Sequence, residues 1–410
     1  MLLPSYLRDI GADIIALYYI LEDIIIGYIA DYLYDIYSET DKQDSRQTNR
    51  RKRKQHRAIA ILSDLNPMMR KFTQASDAEL RAVLQDAVIK SYREEEDIIK
   101  YLKNDIKPPI SNRRIREIID AECKKAGREL KNLTRTTMLQ SQTELIKALD
   151  EAELKTASGR YSYEKVIREI INNLSEQGLT VDYPSGARRS LESAVRTCIV
   201  TSVNQTAAQV TNAYIKEAGA EYVLVSAHIG ARVARPGQPP LANHSGWQGR
   251  VYKIRGSEPG IENLAEATGY DIDADGTGHV LDPLGLHGYN CRHSHKPWDK
   301  DLRNPYRDED GNLLDGNGDI ITDEQNKEMY EKQQKQRALE RGIRKTKRKI
   351  VGIDAEIKNT TDEKLLEELK TNKQALETKL QAQNKQYNDY CKQNDLAPQY
   401  YRSKVKGFRY

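Results

Sequence analysis

The apolar and polar positions of the chain predict helices over most of its length. From residue 5 to 38, Ile10, Ile14, Leu17, Leu21, Ile24 and Ile25 follow three- and four-residue steps, with Tyr18, Tyr28, Tyr32 and Tyr34 beside them. That spacing predicts an amphipathic helix or helix pair. Two placements suit it: packing on its own protein, or docking in a groove of a partner. Residues 58–150 keep a helical period with one break at Lys107–Ile110. There Pro108 and Pro109 stop one helix, and Ser111 or Asn112 caps the next. Two more helices follow up to about residue 219, split by the turn residues Pro184, Ser185 and Gly186.

The texture then changes. Tyr222, Val223, Leu224 and Val225 are consecutive β-formers and predict a short strand, and "GWQGRVYKI" predicts a second. Glycine and proline crowd residues 230–290, which reads as a small, loop-rich domain. Past Trp298, two turn clusters around Leu313 and Leu314 predict a hairpin. Residues 324–394 return to helix, highly charged and poor in aliphatics, with a turn and cap at Thr360–Asp362. This pattern predicts a long helical hairpin or coiled coil that needs a partner surface or its own antiparallel mate.

The fold class is therefore mainly α with a small α+β His/Cys-rich domain, an extended helical N-terminal region and a C-terminal helical hairpin. The expected segments are 1–57 (amphipathic helices and basic linker), 58–158 (helical), and 159–300 (core, with a His/Cys-rich subdomain at about 221–300). After these come a 301–323 hairpin or loop, the 324–395 helical hairpin and a basic tail at 396–410.

Composition narrows the function classes. Only 38% of the 410 residues are hydrophobic and 31% are charged, too polar for one large core, so much of the helix should be exposed. Tyrosines number 24 against two phenylalanines and two tryptophans, a bias that suits interfaces and small cores, because tyrosine buries a ring and keeps a hydroxyl partner. The formal net charge is only +4, so any nucleic-acid contact must come from a local patch. One such patch is Arg46–Arg57, with Arg50, Arg51, Lys52, Arg53 and Lys54 at its centre. It reads as a solvated hinge or, less commonly for a charge run, as a phosphate contact. The cysteines, Cys123, Cys198, Cys291 and Cys391, show no paired spacing, which implies no disulfide framework and a reducing compartment. The start of the sequence lacks the basic segment of a signal peptide. The most apolar stretch carries Glu22 and Asp23 at its centre, which argues against a membrane span.

Six of the seven histidines fall between residues 228 and 295. His228, His244, His287, Cys291 and His293 are candidate metal ligands, with His279 and His295 nearby. Imidazole and thiolate are preferred zinc donors, a structural site takes four of them, and a small domain poor in large apolar side chains gains most from such a clamp. The spacing matches no standard zinc-finger signature, so unrelated surface or core histidines are the competing reading. A histidine–metal nuclease would need its base and ligands further apart than "HGYNCRH" allows. An ADP-ribosyl transferase would need a Glu-x-Glu after a strand, whereas Glu94-x-Glu96 sits in a helical charge run. Asp271, Asp273, Asp275, Gly276 and Asp282 fall at calcium-loop positions, but Gly278 replaces the usual apolar residue, and the stretch reads as an Asp/Gly loop.

The ordered motifs "YPSGARRSLESAVRTCIVTSVNQTAAQV", "SAHIGAR…NHSGWQGRVY", "GLHGYNCRHSHKPW" and "RALERGIRKTKR" resemble the minor capsid protein family of tailed phages over residues 160–350. The insertion "VARPGQPPLAN" and the Asp271–Asp282 loop depart from its simplest form. The resemblance implies a non-enzymatic head protein inside the virion, near the portal, made in the host cytoplasm and linked to head assembly and genome packaging or exit. Its implied partners are the portal protein, other capsid proteins and the packaged double-stranded DNA, with no membrane. Relatives in the broader head-morphogenesis family carry a Cys/His cluster where His287, Cys291, Arg292 and His293 stand here, which supports a structural zinc. No catalytic residue is implied. A metal-dependent nucleic-acid enzyme and a plain coiled-coil scaffold remain the alternatives.

Overall fold

Helices carry most of the chain, as the apolar period requires, and small antiparallel sheets are set among them. The computed structural model describes residues 2–40, 47–103, 105–109, 111–157, 163–183, 186–360 and 362–405. It divides into two compact units, each assembled from three separate stretches. Unit 1 is Met1–Ala12, Asp77–Glu129 and Arg196–Gln334; unit 2 is Asp13–Ser76, Leu130–Val195 and Lys335–Tyr410.

The N-terminal apolar stretch forms α1 (Pro4–Asp9) and α2 (Ala12–Thr40). The two are separated at Gly11, whose φ of +73° and close approach to Ile199 leave no room for a side chain. In unit 2, Ile14, Ile15, Tyr18, Tyr19, Leu21, Ile25, Ile29, Tyr32 and Leu33 of α2 are all buried. Of the two placements open to this helix, packing on its own protein is the one adopted, and its aliphatic face is not free for a partner. Glu22, which interrupts the apolar run, is 3% exposed and sits among cations. Its carboxylate accepts from Arg344 at 2.7 Å and from the Leu179 amide at 2.7 Å, and lies 2.9 Å from Arg348.

The segment expected as a hinge is helical instead. Helix α3 runs without interruption from Gln47 to Leu102, with Pro67 inside it. The side chains of Arg50, Arg51, Lys52, Arg53 and Lys54 lie outside the described residues. Helix α4 (Arg113–Ala157) restarts after the Pro108–Pro109 break, with Asn112 Oδ1 accepting from the Arg114 amide at 3.1 Å. Helix α5 (Tyr163–Gln177) leads into a two-stranded hairpin, β1 (Thr180–Asp182) and β2 (Arg188–Ser190), and then into α6 (Leu191–Ala218).

The C-terminal helical hairpin forms as expected. Helices α8 (Asp323–Asn359) and α9 (Glu363–Gln393) are joined by a turn at which Asp362 caps α9 through the Leu365 amide. Within unit 2 they supply each other's apolar face: Ile343 and Ile350 pack with Leu380, Tyr387 and Cys391, and Ile353 packs with Leu365 and Leu369.

Unit 1 holds a three-stranded antiparallel sheet. Strand β3 (Tyr222–Val225) lies between β4 (Val251–Lys253) and β7 (His295–Trp298). The register pairs Val223 with Tyr252 and Val225 with His295. A short helix α7 (Leu264–Thr268), capped by Asn263, leads to the hairpin of β5 (Tyr270–Ile272) and β6 (Gly278–Val280). Residues 301–323 form two successive small turns, bridged at Arg307–Leu313 and Leu314–Ile320, where the sequence suggested one hairpin. Each turn closes on its own aspartate, Asp308 or Asp315, so neither needs the other. No described helix is long and apolar enough to cross a membrane.

Candidate metal centre

Helix α6 is buried on nearly every side. Ile199, Val203, Ala207, Val210 and Tyr214 fill apolar surroundings, and Thr201, Asn204, Thr206, Thr211 and Asn212 are buried too. Buried amides and hydroxyls require partners, and the His/Cys loop provides them. Asn204 Nδ2 donates to the carbonyls of both Cys291 and His293 at 3.0 Å, which fixes the Cys291–His293 turn. From the next position, Gln205 donates to the His287 carbonyl at 3.0 Å. Asn290, held at φ +54°, donates from its side chain to Thr197. A polar stripe at helical spacing thus stitches the loop to a rigid element.

The far end of the loop is pinned beside the sheet, where the Ser226 amide donates to the Ser294 carbonyl and the Ser294 amide donates to Ser226 Oγ. This brings His244, Cys291 and His293 together in the interior, each at most 2% exposed. Their donor atoms all lie within 4.8 Å of one another. Cys291 Sγ stands 3.7 Å from His293 Nδ1. Two donors on one tetrahedral zinc are separated by about 3.6 Å, given Zn–S of about 2.3 Å and Zn–N of about 2.0–2.1 Å. The His244 and His293 rings are inclined at 66° with centroids 5.1 Å apart, close to the roughly 5.2 Å of two imidazoles sharing such an ion.

Neighbouring acceptors set the tautomers. His244 Nε2 donates to the Leu284 carbonyl at 2.8 Å, and His293 Nε2 donates to Gln248 Oε1 at 2.9 Å. Each bond occupies the only N–H of a neutral ring and leaves the lone pair on Nδ1. Outer partners of this kind orient metal-bound histidines. Burial holds both rings neutral: the pKa of His244 falls to about 3, and that of His293 falls well below the ordinary value. Burial also raises the Cys291 thiol, so a thiolate there needs a cation beside it.

His228 follows β3 and packs its ring on His293 with centroids 4.4 Å apart. Its Nδ1 donates to the Ile229 carbonyl at 3.0 Å, which leaves a lone pair on Nε2 that is buried and without a partner. Burial lowers its pKa to about 3. His287 belongs to a second network. Asn212 Nδ2 donates to the Tyr270 hydroxyl, so Asn212 Oδ1 accepts from His295 Nε2 at 2.8 Å. His295 Nδ1 then accepts from His287 Nε2 at 2.7 Å. The His287 ring contacts Tyr270 and His295 rather than the three-donor group. His279 pairs with Asp273 at the surface. In the Asp271–Asp282 loop, Asp273 and Asp275 spend carboxylate oxygens on the Thr277 amide, as an Asp/Gly turn does.

A family model described as Phage minor capsid protein 2 matches residues 2–392. The chain belongs to this family. No curated protein and no solved structure matches it. Membership makes it a structural phage protein, and the buried His/Cys/His group is one that can hold a metal ion. The α6 stripe that holds the loop was the part that sequence reasoning passed over. Its signal is the row Thr197, Thr201, Asn204, Gln205, Gln209 and Asn212, polar residues one, three or four positions apart that share one side of the helix.

Proposed function

We propose that this chain is a minor head protein of the virion, placed beside the portal, whose unit 1 is clamped by one structural zinc held by His228, His244, Cys291 and His293. The observation that carries the metal is the set of three tautomers: each histidine spends its N–H on a neighbouring acceptor and keeps a buried lone pair. Family membership supports the virion role, and the resemblance of the ordered motifs supports the portal as partner, with other capsid proteins around it. Such a protein contributes fixed shape to head assembly and genome packaging or exit. A nucleic-acid enzyme fits less well, because the donors are under 10% exposed and an ion among them would not meet a phosphodiester. The α8–α9 hairpin packs upon itself, which disfavours a bare coiled-coil scaffold.

Two measurements test the reading. Elemental analysis of the purified full chain should give about one zinc per chain, and Cys291→Ala should release it and lower the Tm. A chain without transition metal sinks the clamp. A pull-down on portal protein should recover the full chain, and failure there removes the portal placement while leaving the metal untouched. Contact with packaged DNA through Arg50, Arg51, Lys52, Arg53 and Lys54 is the weaker part. It predicts duplex binding that falls steeply with salt and loses slope when Arg50, Arg51 and Arg53 become Ala.

A further inference from the structure

Three helices of unit 2 leave a groove between them that no described side chain fills. Its walls include Gly27 and Ala30 of α2, Ile171 of α5, Gly352 and Ala355 of α8, and Val405. Small residues keep two of these walls low, and Ile171 makes the third apolar.

Gly27 marks a place where another group must come close. It lies well inside α2, where glycine is costlier than alanine. A Cβ there would meet nothing within 4 Å, so the described residues supply no reason for its absence. A bulky group resting directly on the helix backbone would supply one.

The chain itself indicates what that group is. Val405, which lines the groove, is the last described residue, and Lys406, Gly407, Phe408, Arg409 and Tyr410 follow it. Three residues beyond Val405 reach about 10 Å, which spans a groove of about 420 Å³. Phenylalanine is also rare in this chain, two against 24 tyrosines. Phe72, the other one, packs edge-on against Tyr18 with centroids 4.9 Å apart. A ring without a hydroxyl gains most from such cover and least from water. The other stretches of unit 2 outside the described residues are 41–46, 158–162 and 184–185. They contain no leucine, isoleucine, valine or phenylalanine, and none adjoins a residue of the groove wall. We propose that the C-terminal tail turns back into this groove and lays Phe408 across Gly27 and Ala30. The tail is then the last segment of unit 2 to dock, and it closes α2, α5 and α8.

Trypsin tests the proposal on the full chain, because it cuts after Lys406 and Arg409, on either side of Phe408. Cutting follows the fraction of time the tail is undocked. Phe408→Ala should speed release of the tail at least tenfold. Gly27→Leu should do the same, because its side chain fills the groove while favouring the helix. Under mild oxidation, Gly27→Cys and Phe408→Cys in one chain should form an internal disulfide. A wild-type tail that is cut as fast as that of Phe408→Ala overturns the proposal. So does a tail that Gly27→Leu leaves protected, which would dock it elsewhere. A double-cysteine chain that stays reduced overturns it too, as does one that joins to a second copy and so assigns the groove to another molecule.

Discussion

Arg344 Cζ lies over the Tyr19 ring, 3.7 Å from its centroid, while its Nη2 reaches Glu22 at 2.7 Å. Both charged groups are at most 3% exposed. The same carboxylate also takes the Leu179 amide, and Arg344 reaches the Lys404 carbonyl, so the pair is hydrogen-bonded beyond itself. Removing one member strands the other. Glu22→Ala should cost about 3–5 kcal/mol, the range for breaking a buried pair. Denaturant unfolding of unit 2 checks this, and a loss below about 1 kcal/mol would mean that water reaches the arginines.

Asn204 holds the His/Cys loop from α6 without touching Cys291 Sγ or His293 Nδ1. Asn204→Leu removes both bonds to the Cys291 and His293 carbonyls and leaves those acceptors buried. The expected cost is about 2–4 kcal/mol, from two unsatisfied carbonyls. Zinc affinity, measured by chelator competition, should fall at least tenfold, because the turn that aims Sγ and Nδ1 is no longer fixed. Unchanged affinity would show that the loop holds its own shape.

Acid should act on unit 1 first. The pKa values of His228, His244 and His295 drop to about 3 in the folded chain through burial, from 6.5. The unfolded chain therefore takes up protons that the folded chain refuses. Stability is full above pH 6.5 and declines as the pH falls toward 3, by up to about 1.4 kcal/mol per pH unit for each imidazole. Melting curves between pH 7.5 and 4.5 should show this slope in the metal-free protein, and His295→Gln should make it shallower.

Unit 2 contains a group with the opposite sign. Glu356 is 2% exposed, neither carboxylate oxygen has a hydrogen-bond partner, and burial raises its pKa to about 7 despite the charge of Arg168. Its raised value favours the folded chain below pH 4.5 and penalises it as the pH rises toward 7. Glu356→Gln should stabilise the protein at pH 8 by on the order of 1–3 kcal/mol and have little effect at pH 4.5. Equal effects at both pH values would place the gain in packing instead.

Local signals in the sequence carried far. The Pro108–Pro109 break, the strand at Tyr222–Val225, the Asp362 cap and the α8–α9 hairpin each rest on neighbours within a few residues, and each was legible. The fate of α2 was not, because periodicity shows that a helix has an apolar face but not what will cover it. Glu22 entered the sequence reading only as an argument against a membrane span; that two arginines from over 300 residues away surround it depends on contacts that no local pattern displays. The helical state of residues 47–57 was masked by their charge, since a run of like charges reads as linker by composition. At the candidate metal centre, the clustering of histidines with Cys291 was visible in the sequence. The separation of His287 from the group was not, because it depends on Asn212 and Tyr270, whose side chains meet only in the fold.

The ion pair in unit 2 also sets a timetable. Glu22 and Arg344 are 322 residues apart in the chain. At roughly 5–20 residues per second, a ribosome that has made the first needs about 15–60 s to reach the second. Throughout that interval Ile14, Ile15, Leu21, Ile25 and Ile29 have no finished unit to enter, although a helix forms in microseconds. The nascent chain therefore carries a greasy, tyrosine-studded helix for most of its synthesis. Its yield in the host should depend on chaperone supply and fall when translation is slowed downstream of α2.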